Sequence, residues 1–91
     1  MTSDFRGHVR ALLYVVQFAR DPAQAVGHAL DQVVRKRALG AGPEEYLASV
    51  RAALASEEEL ADLIPQPHPE DVVRRFLGLV EQRLAAEARS N

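Results

Sequence analysis

Three breaks, Asp21-Pro22, Gly40-Ala41-Gly42-Pro43 and Pro65-Gln66-Pro67-His68-Pro69, cut this 91-residue chain into short pieces. Between them apolar residues recur at three- and four-residue intervals, the period of a helix with one buried stripe; nowhere do they alternate as a half-buried strand requires. The breaks also carry helix start signals. Proline at a first helical position gives up no hydrogen bond, and the acids behind Pro43 and Pro69 sit at the positive pole of the helix dipole. The pattern therefore predicts an all-α fold, a bundle of four to five short-looped helices over about 4–20, 22–39, 43–55, 57–64 and 69–87, with residues 1–91 forming a single helical domain.

The individual ends follow from the same chemistry. Ser3 or Asp4 is placed to cap the first helix, and Asp21 to cap the second, with Gln24 closing a capping box. Arg35-Lys36-Arg37 puts cations at the second helix's negative end, and Gly40-Ala41-Gly42 is the turn that follows. Ser56-Glu57-Glu58-Glu59 reads as a further capping box, which predicts a fresh helix rather than a continuation of the third. Each residue that precedes a proline in 64–69 is pushed out of the α region. That segment is expected to be a stiff connector, with His68 as an exposed cap or spacer.

Composition narrows the function. The sequence has no cysteine, so disulfides and thiolate chemistry are absent and a reducing, cytoplasmic setting is expected. The apolar run from Ala11 to Val16 is far shorter than the ~20 residues of a membrane span, so no membrane association is expected. His8, His28 and His68 fall in three different predicted elements, no Glu-x-x-His occurs, and no glycine-rich phosphate loop follows a strand. Neither a metal nor a cofactor nor an enzymatic activity is expected.

Charge is unevenly spread over a net −2: residues 1–40 carry +3, residues 41–70 carry −6, and residues 71–91 carry +1. The acidic middle argues against a general nucleic-acid binder and suggests either internal complementarity or a basic protein partner. Its candidate partner-binding residues are Glu44, Glu45, Glu57, Glu58, Glu59 and Asp62, which would steer a basic partner.

The first helix carries more apolar surface than one buried stripe needs. Phe5, Val9, Leu12, Leu13 and Val16 form that stripe; Ala11, Tyr14, Val15 and Phe18 form a second, and Arg6, Arg10, Gln17 and Arg20 crowd the remaining sector. Either the helix is central or its second stripe is an interface, to a second copy in a homodimer or to a foreign partner. Tyr14 and Phe18, one turn apart, are the candidate apolar anchors.

The stretch YLASVRAALASEEELADLIPQPHPEDVVRRFLGLVEQRL, residues 46–84, resembles the small helical immunity proteins of bacterial contact-dependent and polymorphic toxin systems. The shared features are an alanine-rich helix, an acidic capped segment, a proline break and a terminal helix with Phe-Leu. The resemblance implies a cytoplasmic inhibitor that occludes a toxin domain, often a basic one, through an acidic surface. The alternative expectation is a helical adaptor or self-associating module that docks through the second stripe.

Overall fold

The computed structural model describes residues 5–17, 19–37 and 40–89. The fold is all-α, with no strand among the described residues. Helix α1 spans Arg6–Val16, α2 Val26–Ala29, α3 Pro43–Ala55 and α4 Glu70–Arg89. A 3-10 turn, Pro22–Ala25, leads into α2 and a π turn, Leu30–Val34, continues it; a second 3-10 turn, Leu60–Asp62, lies between α3 and α4.

The predicted buried stripes become one core. Val9, Leu12, Leu13 and Val16 of α1 meet Tyr46, Val50 and Ala53 of α3 and Val73, Phe76, Leu77, Val80 and Leu84 of α4. Val26, Ala29, Leu30, Val33 and Val34 close it from the 22–34 segment. Full burial of a leucine or phenylalanine contributes roughly 1.5–3 kcal/mol, so these side chains dominate the stability of so short a chain. α3 packs chiefly on α4, and α1 on α3.

Several ends differ from the expected ones. α1 stops at Val16 rather than near residue 20, because Ala19 N–H bonds back to the Val16 carbonyl and Asp21 is already extended. The expected caps Ser3 and Asp4 lie outside the described residues. Asp21 does cap, accepting from Ala23 N–H at 3.1 Å, but the Gln24 side chain closes no box. The second helical segment ends at Val34 instead of 39: Arg37 adopts a left-handed φ of 54°, which an α-helix cannot continue through. Arg35 does more than complement a dipole, since it pairs with Asp31 and reaches Glu87 of α4.

The predicted helix over 57–64 is not formed. Ser56 turns its hydroxyl back onto the Ala53 carbonyl (2.7 Å), and only one short turn, Leu60–Asp62, follows. The cap for that turn comes from elsewhere: the Glu70 carboxylate accepts from Leu60 N–H (3.0 Å) and Ala61 N–H (2.7 Å). Arg74, one turn along α4, donates to Glu70 and to the carbonyls of Leu54, Ser56 and Glu58. These two residues hold the segment that joins α3 to α4.

Candidate protein-binding surface

The geometry of the exposed side of α1 depends on where the 57–68 connector lies. Arg6 pairs with Glu58, Arg10 Nε donates to the Leu63 carbonyl (3.4 Å), and His68 Nε2 donates to the Val16 carbonyl (3.3 Å). The connector thus runs alongside the whole of α1. Gln66 stiffens it by accepting from His68 N–H (2.8 Å) and donating to the carbonyls of His68 and Ala61. His68 is accordingly half-buried and binds the end of α1, where an exposed spacer was expected.

The second stripe of α1 is covered unevenly. Tyr14 is 55% exposed, the exposed large apolar side chain among the described residues, while Ala11 and Val15 are partly buried against the core. Phe18 lies outside the described residues. An open groove of ≈ 410 Å³ separates the end of α1 from the 22–28 segment. Val15, Ala19 and Ala25 are its apolar lining, and Arg20, Asp21, Gln24 and His28 its polar one. Arg20 and His28 are exposed and have no hydrogen-bond or ion-pair partner among the described residues. The Asp21 carboxylate is already committed to Ala23 N–H.

The acidic residues do not gather on one face. Glu44 and Glu45 stand at the start of α3; Glu57, Glu58, Glu59 and Asp62 follow its end. α3 is 13 residues long, about 20 Å at 1.5 Å per residue, and the two groups stand at its opposite ends. Two of the six are also engaged, Glu45 with Gly42 N–H (2.9 Å) and Glu58 with Arg6. Glu44, Glu57, Glu59 and Asp62 remain exposed with no side-chain partner among the described residues.

A polar cluster sits where α1 meets α3. His8 Nδ1 and the Ser49 hydroxyl share a 2.6 Å hydrogen bond, and the His8 ring lies 4.7 Å from that of Tyr46. Ser49 is buried, and burial pushes the Tyr46 phenol above its ordinary value. The hydrogen bond satisfies a hydroxyl enclosed between two helices, as a buried polar group requires. Glu70 shows the reverse shift: burial raises its pKa, but the Ala61 and Leu60 amides and Arg74 outweigh that and lower it overall. Among the described residues no three His, Cys, Asp or Glu side chains are grouped so as to hold a metal ion. No described helix is long and apolar enough to cross a membrane.

The groove residues Arg20, Gln24, Ala25 and His28 were not legible as a site. Only Val15, in the second stripe, pointed toward them; the rest depends on how two segments pack. No protein-family model, curated protein or solved structure matches the chain.

Proposed function

We propose that the protein is a non-enzymatic, protein-binding helical module, an adaptor or self-associating domain, that docks through the outer stripe of α1 with Tyr14 as its anchor. The observation that carries this reading is the exposure of Tyr14, the exposed large apolar side chain among the described residues. A tyrosine supplies broad contact area at small entropic cost and is enriched among the residues that dominate interfaces. The test is light scattering on the wild type and Tyr14→Ser over a concentration series. A concentration-dependent dimer that Tyr14→Ser abolishes, with unfolding unchanged, supports self-association. A monomer shifts the reading to a foreign partner, and a dimer indifferent to Tyr14 sinks the proposed surface.

A second reading keeps the inhibitor role that the 46–84 resemblance implies: a small cytoplasmic immunity-type protein that occludes a basic partner such as a toxin domain. Glu57, Glu59 and Asp62, exposed on one short connector and without a side-chain partner among the described residues, favour it. Under this reading association slows as salt rises, and Glu57→Lys with Glu59→Lys weakens it without unfolding the domain. Salt-independent association with unchanged affinity would remove the acidic segment from consideration.

A further inference from the structure

The connector between α3 and α4 is fastened differently from the rest of the fold. The helices and the 22–34 segment meet through rows of buried apolar side chains, whereas residues 59–68 bury Leu60 and Ile64 and pack Ala61 and Leu63 only in part. Their other attachments are polar. Pro65, Pro67 and Pro69 have no N–H, and the backbone bonds inside the stretch are short-range, Asp62 N–H to Glu59 O and Leu63 N–H to Leu60 O.

Glu70 makes the closest of the polar attachments. Its carboxylate accepts from Leu60 N–H (3.0 Å), Ala61 N–H (2.7 Å) and Arg74 Nε (2.8 Å). The two bonds from the stretch to α1 are longer, 3.4 Å from Arg10 Nε to Leu63 O and 3.3 Å from His68 Nε2 to Val16 O, past the usual N–H···O range. The Arg6–Glu58 pair is partly exposed, so solvent weakens it.

The charged groups around this clasp respond to acid in different ways. Arg6, Arg10 and Arg74 stay charged. Arg74 keeps its bonds to the Leu54, Ser56 and Glu58 carbonyls, so the chain up to Glu58 stays tethered. His68 donates through Nε2 whether or not its ring carries a second proton, so its contact does not open. Glu59, Asp62 and Asp71 are exposed and hold no side-chain partner among the described residues. That leaves two carboxylates. Protonated Glu58 releases Arg6, and protonated Glu70 turns a charged acceptor of three bonds into a neutral acid. Burial raises the Glu70 pKa, but the Ala61 and Leu60 amides and Arg74 outweigh it and bring it below the ordinary 4.5. The closed connector therefore has the full Glu70 contribution above that value and loses it as pH falls through the folded-state pKa.

We propose that residues 59–68 form a strap that opens in acid as a unit, hinged at Glu58 and Pro69, while the helical core stays folded. Opening withdraws Leu60 and Ile64 from the core and frees Arg10 and the last carbonyl of α1. The strap is independent of the Tyr14 surface.

Ile64 is the single isoleucine of the chain, so its δ1-methyl NMR signal reports the strap alone. The test follows that signal in the full chain from pH 7 to 3, beside the methyls of Val50, Val80 and Leu84. The strap predicts that Ile64 moves to its unfolded position while the three core methyls keep theirs. It also predicts that protection of the Leu63 amide, which does not touch Glu70, falls at least about tenfold. Glu70→Gln should show the open Ile64 signal already at neutral pH. Ile64 and core methyls that change together overturn the proposal, because the chain then unfolds as a whole. An Ile64 signal unchanged down to pH 3 overturns it too. So does Glu70→Gln with Ile64 in its native position at neutral pH, because Glu70 is then not the latch.

Discussion

Replacing Arg74 by methionine isolates the pin that holds the α3–α4 connector, because Met retains most of the aliphatic stem and removes the guanidinium. Four hydrogen bonds are lost: Nε to Glu70 (2.8 Å), and the terminal nitrogens to Leu54 O (3.2 Å), Ser56 O (3.0 Å) and Glu58 O (2.8 Å). The Glu70 contact is an i,i+4 pair with both side chains 28% exposed, so solvent screening limits it to roughly 0.5 kcal/mol. The carbonyl bonds contribute roughly 0.5–1.5 kcal/mol each, since water replaces them only in part. Because the four share one side chain, they do not add in full, and the expected loss is about 2–4 kcal/mol. A chain of this length has about 5–14 kcal/mol in all, so the variant should fold with a Tm roughly 10–25 °C lower. Urea unfolding followed by circular dichroism measures this. Arg75→Met is the control: its side chain is exposed and has no partner among the described residues, and its removal should cost under about 0.5 kcal/mol. If Arg74→Met unfolds within about 0.5 kcal/mol of the wild type, the connector is held by its other contacts, the Glu70 caps, the bonds to α1 and the burial of Leu60 and Ile64, and the pinning argument fails.

Glu70 has a pKa below the ordinary 4.5, so its contribution to stability is complete above that value and is lost as pH falls through the folded-state pKa. Glu70→Gln should therefore be less stable than wild type at neutral pH, with the gap narrowing in acid; a gap constant from pH 7 to 3 contradicts this. Ser49→Ala removes the hydrogen bond to His8 from the α1–α3 contact and should cost about 1 kcal/mol in the same urea assay. Gly40 has φ of 71°, so Gly40→Ala should destabilise by about 1 kcal/mol although nothing lies within 4 Å of the added methyl group. A neutral outcome would place the strain elsewhere in the turn.

What was legible in the sequence was local. Pro22 behind Asp21, Pro43 behind Gly42, and Pro69 just before α4 marked helix starts that the fold uses, because a missing N–H and a fixed φ act without reference to anything distant. The buried stripes were also readable, since a 3.6-residue period has one inward face. The 57–64 helix was misread for the converse reason. Ser56-Glu57-Glu58-Glu59 has the composition of a capping box, but Glu58 is drawn to Arg6, 52 residues away, and the amides of Leu60 and Ala61 to Glu70. Interactions between distant residues override a local cap worth about 1 kcal/mol. Of the expected anchors Tyr14 was legible as part of a surplus stripe, whereas the groove at the end of α1 exists only through the packing of α1 on the 22–28 segment.

The placement of the connector bears on why Tyr14 is exposed at all. In an ordinary surface helix the charged sector faces water and the apolar stripe faces the core. On α1 the Arg6 and Arg10 sector is the flank along which the connector runs, held by Glu58 and the Leu63 carbonyl. The core takes Val9, Leu12, Leu13 and Val16, Ala11 and Val15 pack partly against it, and Tyr14 faces solvent. The polar side is partly used internally and an apolar side chain is left outside. A helix with no external task would be expected to carry its charges on the open flank, and here they serve to dock a loop instead. That distribution favours an occupant for the outer stripe over incomplete packing.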